Sequence, residues 1–199
     1  MPTKLRPMNT SKLSFISLIF LFAFFALEVN AQKNNWGGNV EFGYPSLVGR
    51  ENFGGTSYHP REYFAFGFTY IRAISPKFDF ETGLAYSRSR ILVRGGGTPA
   101  FPHIVEAMDW ENMITAPFYL KWNVSSRIFL NGGPNFSWNM GEDTYDPGYG
   151  FGIGYQLRLN GNKNLLINPM YQARGVREPA GRGVRHLGLR LVFTTSPSM

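Results

Sequence analysis

The chain has 199 residues, no cysteine and a formal charge of +7, and it is rich in glycine and aromatic residues, with 23 Gly, 18 Phe, 10 Tyr and 4 Trp. The lack of cysteine excludes a disulfide-stapled scaffold and a Cys-anchored lipoprotein. The Gly and aromatic content points to many strands, whereas the basic charge bears on partners and not on fold.

Lys4, Arg6 and Lys12 precede an apolar run from Phe15 to Leu27, which closes at Val29-Asn30-Ala31. Positive charge, then an apolar stretch, then small residues is the order of a secretory signal peptide. The apolar run is shorter than the ~20 residues that a membrane-spanning helix needs. The expected organisation is therefore a cleaved Sec-type signal peptide over 1–31 and one folded domain over 32–199. Without Lys4, Arg6, Lys12 and Glu28, the formal charge of that domain is +5.

Eight segments with a period of two follow, over 36–44, 63–73, 78–90, 112–123, 127–139, 149–159, 164–174 and 184–193. The second and third, fourth and fifth, and sixth and seventh are joined by ISPK, VSS and NGNK, short enough for tight hairpins. The other connections are longer and carry Gly and Pro. An even number of antiparallel strands with short turns at one end and long loops at the other predicts an all-β, eight-stranded up-and-down transmembrane barrel. The long loops would be extracellular and both termini periplasmic.

Residue size assigns the faces. One face carries Gly43, Ala65, Gly67, Thr69, Gly83, Ala85, Ser87, Asn131, Gly133, Gly150, Gly152 and Gly154. These suit the cramped interior of an eight-stranded barrel. The other carries Phe64, Phe66, Phe68, Phe80, Leu84, Leu120, Leu130, Phe151, Ile153, Ile167, Leu189 and Leu191, too large an apolar patch to leave in water. Lipid is the expected neighbour of that second face. Aromatic belts are expected near the periplasmic margin at Trp36, Phe78, Trp122 and Phe193, and near the outer margin at Tyr44, Tyr86, Trp138, Tyr149 and Tyr171. The alternation also fits a soluble periplasmic barrel around an apolar ligand, which would need no detergent.

Three prolines, Pro117, Pro134 and Pro169, fall inside expected strands. Each lacks a ladder donor, so bulges or strand margins are expected there. The last segment, His186 to Phe193, resembles the C-terminal signal read by the barrel-assembly machinery, with TTSPSM following it.

The runs ISPKFDFETGLAYSRS (74–89) and ITAPFYLKWNVSSRIFLNGGPNFSW (114–138) resemble the small outer-membrane β-barrel domain family often labelled porin-like. The matching residues are Ala116, Pro117, Phe118, Leu120, Lys121, Trp122, Gly133 and Pro134. That resemblance covers essentially the whole exported part, and its motifs are structural. It implies an eight-stranded barrel of OmpA/OmpX-like architecture in the cell outer membrane of a Gram-negative cell.

Parity places Glu41, Asp79, Glu81, Lys121, Arg158 and Arg190 in the lumen, with Arg127 at a turn. A mixed-sign cluster out of water calls for pairing, so the expected role is a charged network that plugs the barrel. Arg88, Arg90 and Arg185 point outward near the extracellular end, and Arg50, Arg94, Arg177 and Arg182 fall in loops; guanidinium matches the phosphates of lipopolysaccharide. The single Arg94-Gly-Gly-Gly run reads as a hinge, and no nucleic-acid partner is expected. His59, His103 and His186 lack a triad arrangement with a hydroxyl and an acid, so no catalysis, no cofactor and no metal are expected, and Asp143 and Asp146 read as turn residues. The expected function is a structural and interaction barrel, a monomer whose partners are outer-membrane lipid, lipopolysaccharide and the assembly machinery during biogenesis. The alternatives are a porin-like passive channel for small solutes and a lipid A-modifying enzyme.

Overall fold

The computed structural model describes residues 34–48, 52–53, 56–95, 105–159, 162–175 and 183–195. The expected signal peptide, together with Arg50, His103, Arg177 and Arg182, lies outside the described residues. The strands are β1 (Asn34–Val48), β2 (Asn52–Phe53), β3 (Thr56–Ala73), β4 (Phe78–Gly95), β5 (Val105–Asn123), β6 (Ile128–Asn139), β7 (Thr144–Arg158), β8 (Lys163–Arg174) and β9 (Gly183–Thr195). From β3 to β9 each long strand pairs antiparallel with the next, and β1 pairs with both β9 and β3. The sheet therefore closes on itself. β2 is a two-residue rung on the far end of β3, which leaves eight staves in the wall.

Local chemistry sets the hairpins. In the turn 74–77 the hydroxyl of Ser75 accepts from the amides of Lys77 and Phe78, at 3.3 and 3.1 Å. In 124–127 the hydroxyl of Ser125 does the same for Arg127 and Ile128, at 3.3 and 3.0 Å. A serine held two and three residues ahead of its donors is a side-chain mimic of a backbone turn. The connection after β6, expected to be long, is instead the four residues Met140–Asp143. Asn139 caps it by accepting from the amides of Gly141 and Glu142, and Asp143 takes the left-handed conformation, φ 52°, that Asp tolerates.

The staves are also longer than the alternation indicates, and unequal. β3, β4 and β5 have 18, 18 and 19 residues, whereas β6 and β8 have 12 each. One wall therefore rises above the rest at the end away from the hairpins. Arg94, expected in a loop, belongs to this wall and pairs with Glu106 across the ladder at 2.8 Å.

The three prolines cause no bulge. Around Pro117 the β4–β5 ladder skips two rungs between Thr82–Phe118 and Ala85–Thr115, with the same register on both sides. The β5–β6 ladder skips likewise beside Pro134, and the β7–β8 ladder beside Pro169. On the other side Pro117 keeps its rung to Asn135, and at Pro134 and Pro169 the other ladder runs on unbroken. A strand residue bonds to only one neighbour at a time, so a missing N–H costs one ladder alone. The hydroxyl of Thr82 donates to the carbonyl of Pro117 at 2.8 Å and satisfies part of the gap. The one register shift in the β3–β4 ladder lies at Pro60/Glu62, above the rest of the barrel.

The faces fall as residue size requires. Phe64, Phe66, Phe68, Leu84, Leu120, Leu130, Phe151, Ile153 and Leu189 are exposed, with Leu84 at 52% and Ile153 at 56%. Phe80, Ile167 and Leu191 share that outer face, half-buried among their neighbours. At the hairpin end Trp36, Phe78, Trp122 and Phe193 stand exposed in a ring, with Trp36 packed on Tyr70 and Phe78 on Trp122. From Phe78 to Tyr86 a strand tilted by about 40° climbs about 20 Å, near the roughly 25 Å apolar band of a membrane barrel.

Candidate functional site

The lumen gathers most of the buried polar side chains, and its floor is apolar. Ile71, Phe129, Leu166 and Val192, from β3, β6, β8 and β9, form one buried cluster across the bore near the hairpin end. The ring of Phe129 reaches across because the facing residue on β7 is Gly154: any Cβ there would overlap the ring. Higher on the same strand a Cβ on Gly150 would lie 2.6 Å from the hydroxyl of Tyr119. Glycine on β7 thus makes room for large side chains from the neighbouring strands β6 and β5.

At the edge of this floor, Lys121 donates to Asp79 at 3.2 Å and to Gln156 at 3.4 Å, with its ammonium 4.8 Å from the Phe129 ring centre. Asn123 donates to the same carboxylate of Asp79 at 3.0 Å.

The central layer is built around Glu81. Arg190 from β9 pairs with Glu81 from β4, and its second nitrogen donates to Thr69 on β3 at 3.0 Å. Thr69 accepts from Asn39 on β1 at 2.7 Å, and Asn131 on β6 donates to the other oxygen of Glu81 at 3.4 Å. Five strands meet at one ion pair. Glu81 and Arg190 are 1% and 4% exposed, a degree of burial at which an ion pair holds only when its remaining lone pairs and protons are also satisfied.

Above this layer, both oxygens of Glu41 accept from Gln172, each at 3.0 Å. Tyr119 occupies the same region, with Asn135 donating to its hydroxyl at 3.5 Å. Higher still, Arg174 on β8 pairs with Glu111 on β5 at 2.9 Å and donates to Ser89 at 3.4 Å. His186 is buried here against Tyr63, ring centres 4.3 Å apart.

Of the six charged residues assigned to the lumen by parity, the structure brings Glu41, Asp79, Glu81, Lys121 and Arg190 inside. Arg158 has the right parity but lies exposed at the mouth beside Arg127, a correction that follows from its place as the last residue of β7. Sequence reasoning missed the Arg174–Glu111 pair and the apolar floor. On the outer rim, Arg88 and Arg90 flank Trp110, with guanidinium carbons 3.8 and 5.5 Å from its ring centre. Arg90 also pairs with Glu62 at 2.8 Å. Arg185 is exposed on β9, separated from β4 by β1 and β3, so the three arginines do not form one cluster. His59 is exposed on β3, and among the described residues no group of His, Asp and Glu could hold a metal ion.

No family model matches the chain, and no curated protein sequence does. Among solved structures, it is similar to the outer membrane protein OprG from Pseudomonas aeruginosa, with a TM-score of 0.55 and 12% identity over 85% of this chain and 97% of that one. It is also similar to the outer membrane protein AlkL determined in DMPC lipid bilayers, with a TM-score of 0.50 and 12% identity over 100% of this chain and 98% of that one. At such identities the likeness is one of fold. The chain is a closed, eight-stranded antiparallel β-barrel with the fold of small outer-membrane barrels.

Proposed function

We propose that the protein is an integral outer-membrane barrel, a monomer with a plugged lumen, that acts through its surface and not as a conduit. The observation that carries this reading is the inversion of the fold: apolar side chains circle the outside while Glu81, Arg190, Lys121 and their partners are buried inside. In water the outer ring would be one continuous apolar patch, far beyond what a soluble monomer leaves exposed. In a bilayer it is solvated, and the closed ladder leaves no sheet edge at membrane depth.

Two barriers support a closed bore. The apolar floor would have to be opened to pass an ion, and the central pair would have to be broken. The tall wall of β3–β5 is the natural contact surface, because it stands clear of the shorter strands and carries the exposed pairs Arg90–Glu62 and Arg94–Glu106. Arg88, Arg90 and Arg185 are proposed to meet lipopolysaccharide phosphates from opposite sides of the rim, with Trp110 holding the guanidinium of Arg88 by its ring face. This reading assigns no catalysis.

The test combines location and conductance. The protein should fractionate with the outer membrane and migrate faster on a detergent gel before boiling than after. Reconstituted in a planar bilayer, that same folded material should give no steady single-channel openings. Regular openings of uniform size would overturn the plugged lumen and favour passive solute passage.

A further inference from the structure

The two ends of the barrel differ in charge. Among the described residues of the hairpin end, over 70–79, 121–130 and 155–165, the basic side chains are Arg72, Lys77, Lys121, Arg127, Arg158 and Lys163. The only acid there is Asp79, which is taken up by Lys121 and Asn123. The opposite end mixes signs, with Glu62, Glu106, Asp109 and Glu111 among its arginines. A one-signed rim beside an apolar band attracts anionic head groups.

One place on this rim has the shape of a seat. Ser126, Arg127, Tyr155, Gln156, Leu157 and Arg158 line an open groove of about 320 Å³ between the β6 and β7 ends. Arg127 and Arg158 are both exposed. The guanidinium of Arg127 is steadied by donating to the hydroxyl of Tyr155 at 3.3 Å. The groove also has an apolar side. Leu157 and Tyr155 belong to the outer face of β7, continuous with Ile153, and the ladder sets Ile128 against Tyr155 and Leu130 against Ile153. A soluble anion would use only the guanidinium groups. A phospholipid would use the whole surface, its phosphate between Arg127 and Arg158 and an acyl chain along Leu157, Ile128 and Ile153.

We infer that this groove binds the phosphate of an acidic phospholipid in the leaflet that meets the hairpin turns. The inference rests on the membrane reading above. Guanidinium forks match phosphate oxygens, and a net negative lipid is favoured over a zwitterionic one because the one acid among the described residues of this rim, Asp79, is already held by Lys121 and Asn123.

The experiment refolds the full chain into vesicles of equal phosphatidylethanolamine and phosphatidylglycerol and counts retained lipids by native mass spectrometry. Phosphatidylglycerol should be enriched among the bound lipids. A charged hydrogen bond to a phosphate oxygen is worth roughly tenfold or more in affinity, so the R127Q/R158Q variant should lower that enrichment by at least about tenfold. K77Q/K163Q, which removes as much charge outside the groove, should leave most of it. Equal retention of both lipids by the unaltered protein, or equal loss in the two variants, would overturn the seat. So would displacement of the bound lipid by inorganic phosphate at fixed ionic strength, which would mark a soluble-anion site. Flotation with vesicles and the unboiled gel shift are read on the same samples. Protein that fails to float refutes the membrane reading itself, whereas floating, folded protein without enrichment refutes only the seat.

Discussion

Replacing Glu81 with leucine is expected to destabilise the barrel by about 3–5 kcal/mol, the cost of removing one partner from a buried ion pair. Glu81 is the acceptor on which Arg190 and Asn131 converge, and Arg190 is nearly as buried as its partner. Without the carboxylate the guanidinium keeps its bond to the neutral hydroxyl of Thr69, and the one opposite charge near it among the described residues is Glu41, which is already engaged by Gln172. The measurement is urea unfolding of protein folded in vesicles, followed by tryptophan fluorescence. The double variant E81L/R190L removes both charges, and replacement of a whole buried pair by apolar side chains is often neutral or stabilising. It should therefore recover most of the loss. A single-variant loss below about 1 kcal/mol, as for an exposed ion pair, would mean that water screens the pair and that the lumen is open.

The second large effect is expected on the opposite face. Ile153 stands on β7 between Tyr149 toward the outer margin and Leu157 toward the inner one, with 56% of its surface exposed. Ile153→Arg should cost about 2–4 kcal/mol, the figure for a basic side chain at the midplane of a membrane barrel. Leu187→Arg, at the level of Tyr44 and Tyr171, should cost no more than about 1 kcal/mol. In water an exposed position of this kind would tolerate the change within about 0.5 kcal/mol. The depth dependence, read from the same unfolding curves, thus separates lipid from water as the neighbour of Ile153.

Much of this architecture was legible because lipid and a narrow bore make opposite demands on alternate residues. In FDFETGLAYSRSR the large apolar side chains are those that must meet hydrocarbon, and the small or acidic ones are those that fit inside. The strand tops were not legible for the same reason. Over TSYHPRE, ILVRG and VEAMDWE the strands rise past the shorter staves and out of the apolar band, where lipid no longer enforces alternation. TYDPG carries three turn-forming residue types and reads as a loop, yet its residues already belong to β7.

The apolar floor did leave a trace. Ile128-Phe129-Leu130, Leu165-Leu166-Ile167 and Leu191-Val192-Phe193 are apolar at three successive positions. A strand that is apolar on both faces has lipid on one side and a dry core on the other, and the middle residues Phe129, Leu166 and Val192 are the ones that meet. Arg174 and Glu111 left none, because each borders a polar segment and they are 63 positions apart. For Arg158 parity gave the right face, but depth along the strand decides whether a charge is buried.

The most direct test of the account uses the absence of cysteine. Single-cysteine variants at Leu84, Ile153 and Leu189, with Arg94→Cys as a reference on the tall wall, can each carry one nitroxide in a vesicle. Labels at 84, 153 and 189 should be relaxed strongly by molecular oxygen and weakly by a water-soluble nickel chelate, with the reverse at 94. If the chelate reaches 84, 153 and 189 as readily as 94, the exterior faces water and the membrane reading is wrong.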